Sequence, residues 1–387
     1  MKKDNYLNKI AESKKPFIIY KSNKGFDLFT DFSKKIILSN RNIENFINNS
    51  TKKKLKNKET DLYIGFFGYE ILNNLIGVKI KKQKRLKFPK GIFYKPETKK
   101  KLSNKLNYKS TENLESKGTF NVNLNKVSYK NIFNKFKKKI KLGETYQIKI
   151  CTKYRKNSQI DALDFFCRLT KSNMAPEAFM INDKDYSIIS CSPENLITKT
   201  KNIITTKPIA GTLKKTKKLN KSKALIFFKK NIKETKEHNM IVDMERSDLS
   251  KICKPGSVKI IKKKIVEEYK DLYHYVSQIA GKLKKNVSSL EIIKAMMPGG
   301  SVIGCPKIST LNLLNKQEKE NRNIYTGSFG YLKFNGDMRF NIIIRSILNY
   351  QNQSEISVAS GVVIDSNASH EFNENYIKAK ALIDLYK

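Results

Sequence analysis

Short strand-like segments separated by glycine or polar turns recur along the chain, and they restrict its fold more than any other feature of the sequence. Apolar, aromatic or threonine side chains alternate with polar neighbours at Tyr146, Ile148, Ile150, Thr152 and Tyr154, which is the period of a half-buried strand. The runs EAFMIND and YSIISCS flank a polar Asp-Lys turn, and IYTGSFGYLKF, FNIIIRSIL and SVASGVVI follow nearer the C-terminus. Many strands interrupted by few helices predict an α+β fold with a mostly antiparallel sheet.

Helices and one linker are predicted around these strands. The segment VSYKNIFNKFKKKIKLGE has helical periodicity and stops at Gly143. A long helix is predicted over about residues 221–250, and a terminal helix from His370 to Tyr386. The lysine-rich stretch from Lys90 to Gly118 is interpreted as a loop or linker.

The formal net charge of +43 is typical of proteins that bind nucleic acid, because a basic surface releases counterions from phosphates. However, eight of the 78 basic residues are arginine, the side chain preferred for bidentate phosphate and base contacts. The lysines are spread along the whole chain, which is more typical of compositional drift than of a binding surface. We therefore expect no specific nucleic acid partner, with a basic RNA-binding protein as the alternative from another class. The positive field would attract small anionic substrates.

The cysteines and the N-terminus indicate the compartment. Five cysteines occur without CxxC or metal-finger spacing, and they are interpreted as reduced thiols of a cytoplasmic protein. The start MKKDNYLNKIAESKKPF lacks the apolar stretch of a signal peptide, and no run approaches about 18 apolar residues. We expect neither export nor a membrane span.

Two pairs of glutamates stand out against the lysines, Glu234 with Glu237 and Glu371 with Glu374. Each pair has i, i+3 spacing, so on a helix its carboxylates lie on one face, and Lys378 shares that face as the i+4 neighbour of Glu374. In a lysine-rich helix such glutamates are usually solvated partners in salt bridges. If the two helices converge, the carboxylates instead form a cage for a hard divalent cation, with open positions for an anionic substrate.

Single residues elsewhere have the chemistry of a site. Glu194 follows a proline after apolar strand-like segments, where desolvation would raise its pKa toward use as a general acid, unless it occupies a helix N-terminus. Arg345 interrupts the apolar run FNIIIRSI, and because an unpaired buried guanidinium is costly, it is expected to face an acid or an anionic ligand. His274 lies among apolar neighbours, which is more typical of a core or surface histidine than of a catalytic one. His238 adjoins Glu237, so a metal-ligand role is conceivable.

From about residue 129 to the C-terminus, the chain resembles the chorismate-utilising enzymes, a family that includes anthranilate, aminodeoxychorismate, isochorismate and salicylate synthases. Ordered motifs carry the resemblance, namely GETYQIKI, SPENL, KPIAGT, KEHNMIVDMERSDL, HYVS, PGGSVIGCPK, IYTGSFGYLKFNGDM, IIIRS and SGVVIDSNASHEFNENYIKAKAL. So many motifs in one order make a chance match very improbable.

The resemblance implies a large α/β sandwich of two mostly antiparallel sheets with helices outside. Residues 1–115 would form an N-terminal part that resembles the family weakly, and residues 116–387 the chorismate-binding catalytic region, together one compact domain. Mg²⁺ is the implied cofactor and grips the ring carboxylate of chorismate. Glu237 and Glu374 match its main ligands, with Glu234 and Glu371 beside them.

Further roles are implied by the same resemblance. Glu194 matches the carboxyl group that handles the proton of the departing 4-hydroxyl, and His274 the histidine that helps the enolpyruvyl group leave in pyruvate-eliminating members. Arg345 and Tyr325 match the pair that holds the enolpyruvyl carboxylate. Ala359 replaces a glycine of the usual carboxylate cradle, which would narrow the approach of substrate to the backbone. The implied substrate contacts are Gly211, Thr212, Ser301, Tyr325, Arg345, Ser360, Gly361 and Lys378.

The nucleophile and product depend on single positions. Gln147 stands where water-adding members have a lysine base, and because a neutral amide cannot serve as that base, amination is favoured. No cysteine lies in a GxCxG-like glutaminase context, so a separate glutamine amidotransferase subunit is implied to supply ammonia. Ala210 replaces a covalent lysine of some aminodeoxychorismate synthases and favours anthranilate synthase, whereas MIVDMERSDL, PGGS, NMAP and Glu177 favour aminodeoxychorismate synthase. The predicted product is 4-amino-4-deoxychorismate, of the p-aminobenzoate and folate pathway, with anthranilate synthase component I as the alternative.

Overall fold

The computed structural model describes residues 5–56, 59–80, 88–110, 118–216, 218–269 and 272–387, apart from the side chains of Asn5, Thr212, Lys214 and Lys233. The helices are α1 (Asn5–Ser13), α2 (Ile43–Ser50), α3 (Tyr69–Leu75), α4 (Lys126–Lys141), α5 (Ala162–Ser172), α6 (Lys221–Lys230), α7 (Ile232–Ile252), α8 (Ser289–Met296), α9 (Lys307–Gln317) and α10 (Ala368–Ile383). Short 3₁₀ helices cover Gly300–Val302 and Asp384–Tyr386. The strands are β1 (Phe17–Ser22), β2 (Gly25–Ile37), β3 (Leu62–Phe67), β4 (Gly91–Leu102), β5 (Asn121–Val122), β6 (Gln147–Asn157), β7 (Glu177–Asn182), β8 (Tyr186–Ser192), β9 (Asn195–Thr200), β10 (Ile203–Lys207), β11 (Ile209–Lys214), β12 (Lys259–Glu268), β13 (Leu272–Lys282), β14 (Gly304–Cys305), β15 (Ser328–Lys333), β16 (Met338–Asn341), β17 (Ser346–Tyr350) and β18 (Gln353–Val362).

Every ladder between the described strands is antiparallel, which confirms the α+β class and the antiparallel sheet. The strands expected to form the two sheets of a sandwich are connected by hydrogen bonds into one network. Strand β1 pairs with β2 and β7, and β3 pairs with β4 and β15, so strands from the N-terminal part lie directly beside strands from the later region.

The helix predicted to stop at Gly143 is α4, and its ends have ordinary local causes. The side chain of Asn125 caps it by accepting a hydrogen bond from Ser128 N at 2.8 Å. Tyr129 and Phe133 bury the apolar face that the periodicity predicted. The chain leaves the helix at Gly143, whose φ of 74° lies in the left-handed region that glycine tolerates.

The long helix predicted over 221–250 is two helices, and the single-helix prediction was wrong. Asn231 separates α6 from α7 with extended dihedral angles of φ −79° and ψ 99°. Its side chain accepts a hydrogen bond from Glu234 N at 3.2 Å, so it acts as the N-cap of α7. Asparagine side chains compete for backbone hydrogen bonds, which makes them better caps than helix-interior residues.

The interpretation of Lys90–Gly118 as a loop or linker was also wrong for much of its length. Strand β4 occupies Gly91–Leu102 and pairs with both β2 and β3. Its first half buries Ile92, Phe93 and Tyr94, whereas the lysines that hid the pattern lie in its exposed second half. Residues 111–117 of that stretch lie outside the described residues.

Apolar packing holds the two helices that carry the glutamate pairs. Leu249 and Ile252 of α7 belong to a buried cluster with Phe340 of β16. Ala379 and Leu382 of α10 belong to a second cluster, which covers another part of the sheet. Each fully buried leucine contributes about 1.5–3 kcal/mol, so both helices are anchored at their C-terminal halves. No helix in the described part of the chain has the length and apolar character needed to cross a bilayer.

The ladder between β6 and β18 sets the floor of the candidate site. Lys149 pairs with Gly361, and Ile150 pairs with Ser360. On the opposite edge of β6, Cys305 of β14 pairs with Gln147. Because alternate residues of a strand share a face, Gln147 and Lys149 point to the same side of the sheet.

Candidate active site

The first element of the site is Glu237 of α7, held by two side chains of β6. Gln147 Nε2 donates a hydrogen bond to Glu237 Oε1 at 2.7 Å, and Lys149 Nζ donates to the same oxygen at 2.9 Å. Burial alone would raise the pKa of Glu237, but the Lys149 ion pair and the Gln147 hydrogen bond outweigh it and lower the pKa to about 2. Glu237 is therefore an anion that faces an ammonium group.

The second element is the terminal helix α10, where the predicted i, i+4 pair is present. Lys378 Nζ lies 2.5 Å from Glu374 Oε1 and donates to Ala359 O at 2.9 Å. Glu371 is buried and accepts a hydrogen bond from Ser366 Oγ at 3.0 Å. The ring of contacts ties α10 to β18 and to the turn that follows it.

The carboxylates of α7 and α10 converge on Lys149, as the cage hypothesis required of the two helices. Burial would lower the pKa of Lys149, but the charges of Glu237, Glu374 and Glu371 act together on its ammonium group and raise that pKa. Glu237 and Glu374 also repel each other. Glu234 lies to the side, where its Oε2 would come within 3.0 Å of a Cβ atom at Gly211.

The fit to a divalent cation depends on donor chemistry and on what holds the centre. Carboxylate oxygens are the ligands that Mg²⁺ prefers, so the donor set suits that ion. Across the described ranges, however, no three His, Cys, Asp or Glu side chains form a ready-made metal centre. The ammonium of Lys149 pairs with Glu237 and lies within electrostatic reach of Glu374 and Glu371. Glu237, Glu374 and Glu371 would hold the ion once that ammonium moves aside.

Glu194 lies in the turn between β8 and β9, which excludes the helix N-terminus alternative. It is 4% exposed, and Ser301 Oγ donates a hydrogen bond to its Oε1 at 2.7 Å. Burial raises the pKa of Glu194 to about 7, although the Ser301 hydrogen bond and the charge of Lys149 oppose the shift. The desolvation predicted from sequence is present, and Glu194 can hold a proton near neutral pH.

Arg345 does not interrupt a strand as predicted, because β16 ends at Asn341 and β17 begins at Ser346. It lies in the connection between them with a φ of 52°, a conformation uncommon for a side chain other than glycine. Within the described residues no carboxylate forms an ion pair with its guanidinium, whose Nη1 donates weakly to Lys378 O at 3.5 Å. Burial lowers the pKa of Arg345, with the neighbouring Tyr325 and Glu374 opposing it. A buried guanidinium in these surroundings suits an anionic ligand.

The two histidines near the site differ in their partners. His274 of β13 is buried, and burial together with the charge of Arg345 lowers its pKa to about 4, so it is neutral at physiological pH. It has a hydrogen bond with the Gly211 backbone. His238 is 0% exposed, and its Nε2 lies 2.7 Å from Ser277 Oγ of β13.

The other predicted contacts are distributed around this centre. Ser360 is buried, and its Oγ lies 2.5 Å from Tyr129 OH. Tyr325 is buried beside Arg345, and Ala210 packs with Ile241. Thr212 is the neighbour of His274 in the β11–β13 ladder, and its side chain lies outside the described part.

Sequence reasoning missed two residues. Lys149 was available from strand periodicity, since it lies two positions after Gln147 on a predicted strand and therefore on the same face. Glu245 is 2% exposed and accepts a hydrogen bond from Thr206, and burial together with the charge of Glu194 raises its pKa well above the usual range. Glu245 lies four residues from both Ile241 and Leu249, so helical spacing puts it on the buried face of α7, and this spacing was the signal that could have found it.

Comparison with known proteins gives concordant results. The family model described as chorismate binding enzyme matches residues 6–384. Aminodeoxychorismate synthase component 1 of Bacillus subtilis is 33% identical over 269 residues, which are 69% of this chain and 57% of that protein. Anthranilate synthase component 1 of Mycolicibacterium smegmatis is 32% identical over 265 residues, which are 66% of this chain and 50% of that protein. The matched region thus spans little more than half of these curated relatives.

Two solved structures share the fold. Anthranilate synthase component I from Streptococcus pneumoniae superposes with a TM-score of 0.76 at 24% identity, covering 95% of this chain and 90% of that one. The menaquinone-specific isochorismate synthase from Escherichia coli superposes with a TM-score of 0.78 at 14% identity, covering 96% and 89%. At these identities the likeness concerns the fold alone.

Proposed function

The chain belongs to the chorismate binding enzyme family, and we propose that it replaces the ring hydroxyl of chorismate with ammonia to give 4-amino-4-deoxychorismate. The observation that carries this proposal is Glu194, a buried carboxyl group that accepts a hydrogen bond from Ser301 and whose pKa of about 7 leaves it about half protonated at neutral pH. A protonated acid beside a group of cations suits a substrate that is an anion with a hydroxyl leaving group. Aminodeoxychorismate synthase is also among the similar curated proteins.

Three neighbouring cationic side chains, Lys149, Arg345 and Lys378, are available to bind the two carboxylates of chorismate. Lys378 is affected by the charges of both Lys149 and Arg345, so these groups lie within electrostatic reach of one another. In the proposed complex Arg345 and Tyr325 bind the enolpyruvyl carboxylate, and Lys378 and the backbone at 359–361 face the ring carboxylate. Mg²⁺, held by Glu237 and Glu374 with Glu234 and Glu371 nearby, would neutralise charge on that ring carboxylate.

Glu194 serves as the general acid in this proposal. As the carbon–oxygen bond to the ring hydroxyl breaks, the carboxyl group transfers its proton to the oxygen, which leaves as water. The new carbon–nitrogen bond forms with the lone pair of ammonia, and the nitrogen then releases one proton, which restores the proton of Glu194 directly or through solvent. Ser301 orients the acid through its hydrogen bond to Oε1. General acid catalysis of this kind contributes about 10²–10⁴-fold to rate.

Ammonia is favoured over water as the nucleophile because neither Gln147 nor Lys149 of β6 can act as a base for water. Gln147 is a neutral amide that donates to Glu237, and Lys149 donates to the same carboxylate as an ammonium. We propose that the ammonia comes from a separate glutamine amidotransferase. Some of the similar curated proteins are components of two-part synthases by name.

Anthranilate synthesis is the second candidate, with amination at C2 and loss of pyruvate. Ala210, which cannot act as a covalent nucleophile, favours it, and a neutral His274 near Arg345 is placed to take part in the loss of the enolpyruvyl group. Relatives named anthranilate synthase are about as similar as those named aminodeoxychorismate synthase.

A product assay separates these candidates. The purified chain is incubated with chorismate, Mg²⁺ and an ammonium salt, and the products are identified by chromatography and mass. Conversion of the product to p-aminobenzoate by an added lyase supports the proposal. Fluorescent anthranilate would establish the second candidate, and isochorismate would show water addition. Tight, salt-dependent RNA binding without chorismate consumption would overturn the proposed enzymatic activity.

The Glu194→Gln variant tests the assigned acid in the same assay. Turnover should fall by about 10²–10⁴-fold while the KM for chorismate changes little. Glu70→Gln is the matched control, because burial raises the pKa of Glu70 to about 7 as well, and its Oε1 accepts hydrogen bonds from the Arg322 and Asn323 backbone rather than from Ser301. Retained turnover in Glu194→Gln would remove Glu194 from the role.

A further inference from the structure

We infer that Lys149 is a resident cation of the carboxylate cage and that a divalent ion binds there by displacing its ammonium group from Glu237. This inference rests on the proposed function only in taking the same carboxylates as the cation site. It concerns binding to the free protein, and it assigns to Lys149 the control of metal affinity.

The position of Lys149 is the first support. Its Nζ is 2.9 Å from Glu237 Oε1, and its side chain is 12% exposed. Three carboxylates from two helices, Glu237, Glu371 and Glu374, act on this one ammonium group. An incoming Mg²⁺ needs those same oxygens, and a second cation at that point would be repelled by the first. The two cations are therefore competitors for one place.

The strand opposite Lys149 leaves room for this ammonium group. Gly361 is the partner of Lys149 in the β6–β18 ladder. A Cβ atom at Gly361 would lie 2.6 Å from Lys149 Nζ and 2.9 Å from Gln147 Nε2, closer than side-chain atoms approach one another. The absence of a side chain at 361 is what allows Lys149 to extend along the sheet to Glu237.

Gln147 has a buried polar atom that supplies an independent observation beside Glu237. Its side chain is 0% exposed, and while Nε2 donates to Glu237, the buried Oε1 has no hydrogen-bond partner among the described residues. A buried amide oxygen without a partner is costly to desolvate, and a bound donor or cation would recover that cost. The oxygen belongs to the same amide group whose Nε2 contacts Glu237.

Lys149 and Lys378 balance the charges of Glu237 and Glu374 in the metal-free protein. Glu237 and Glu374 repel each other, and Lys378 neutralises Glu374. Without Lys149 the carboxylate of Glu237 would keep, among the described side chains, the neutral Gln147 as its one donor. Lys149 therefore stabilises the metal-free protein and weakens the binding of metal by the same ion pair.

The test measures metal binding directly, without chorismate. Mn²⁺ is the probe, with the free ion counted by electron paramagnetic resonance, and Mg²⁺ binding is followed by calorimetry. Lys149→Met should bind both ions at least about tenfold more tightly than the wild type. Lys149→Arg, which keeps the charge, should bind as weakly as the wild type. Lys149→Gln keeps a donor without the charge and should follow Lys149→Met, which covers the case in which the methionine variant does not fold.

Lys153→Met is the matched control for removing a buried lysine from β6. Its Nζ pairs with Glu355 Oε1 at 2.6 Å on the same face of the strand, away from the cage, and Arg155 also holds Glu355. This variant should leave Mn²⁺ affinity unchanged. The thermal shift produced by Mg²⁺ should be larger in Lys149→Met than in the wild type, because a ligand stabilises according to its affinity.

Equal or weaker Mn²⁺ binding in both Lys149→Met and Lys149→Gln would overturn the inference. Tighter binding in Lys149→Arg, or in Lys153→Met, would also overturn it, because the effect would then not depend on the charge at position 149. Since no substrate is present, these outcomes are independent of which product the enzyme makes.

Discussion

The buried carboxyl group of Glu194 should make the protein less stable as the pH rises from 5 to 8, and Glu194→Gln should remove that dependence. Burial raises the pKa from the usual 4.5 to about 7 in the folded state. The folded protein therefore binds this proton more tightly than the unfolded chain does. The stabilisation is complete below pH 4.5 and is lost as the pH rises through about 7. One pKa unit corresponds to about 1.36 kcal/mol, so the loss amounts to about 3 kcal/mol.

The assay is the free energy of unfolding in urea, measured at intervals from pH 5 to pH 8 for the wild type and the variant. Other titrating groups are common to both proteins, so most of their effect cancels in the difference. Glu245 is the exception, because the charge of Glu194 acts on it and is absent from the variant, and infrared detection of protonated carboxyl groups separates the two. The variant should gain about 2–3 kcal/mol relative to the wild type between pH 5 and pH 8, since part of the full effect is already lost by pH 5.

Glu70→Gln provides a comparison that separates burial from catalysis. Burial raises the pKa of Glu70 to about 7, as it does for Glu194. The stability difference between Glu70→Gln and the wild type should therefore depend on pH in a similar way, whereas turnover should persist. A stability difference for Glu194→Gln that stays flat from pH 5 to pH 8 would refute the argument, because Glu194 would then be ionised, or solvated, in the folded protein.

Three further predictions concern binding, backbone strain and pH. Arg345→Met should weaken chorismate binding about tenfold to a hundredfold in equilibrium dialysis, because charge-assisted hydrogen bonds contribute about 1.5–3 kcal/mol. Arg345→Lys should lose less affinity, and unchanged binding in the methionine variant would contradict the binding of a substrate carboxylate by Arg345. Gly211→Ala should lower the free energy of unfolding by about 1–3 kcal/mol, because φ is +89° there and the new Cβ would lie 2.8 Å from Phe228 Cε1; an unchanged melting temperature contradicts this. Ser301→Ala removes a hydrogen bond that lowers the pKa of Glu194, so the loss of turnover with rising pH should move to higher pH, and a move to lower pH would contradict the assignment.

Much of the fold follows from local patterns. Helix α4 could be predicted because Phe133 and its neighbours recur at helical spacing and Gly143 ends the run. Strand β4 was missed because the lysines at 99–101 lie on its exposed half and mask the buried residues before them. The break at Asn231 was missed because one asparagine fits either a helix interior or a cap, and the local sequence does not decide between them.

The candidate site shows the same division. The desolvation of Glu194 could be predicted, since its place after a proline and two apolar runs puts it at the end of buried strands. The alternatives for the glutamate pairs could not be decided, because exposed salt-bridge helices and a carboxylate cage have the same i, i+3 spacing. In the structure Glu374 is both a salt-bridge partner and part of the carboxylate cage. It pairs with Lys378 on its own helix, and its charge also acts on Lys149 of the sheet.

By itself the sequence determined the antiparallel α+β class, the family and the helices that carry the glutamates, because periodicity and motifs are properties of neighbouring residues. Tertiary structure alone decided which charges meet. Lys149 and Glu237 are 88 residues apart, and their ion pair depends on the register of β6 with β18 and on the packing of α7. An ion pair of this kind forms from two elements whose relative position is set by burial elsewhere, so no local pattern announces it. The strand period places Lys149 beside Gln147, and only the folded protein shows that its ammonium group meets Glu237.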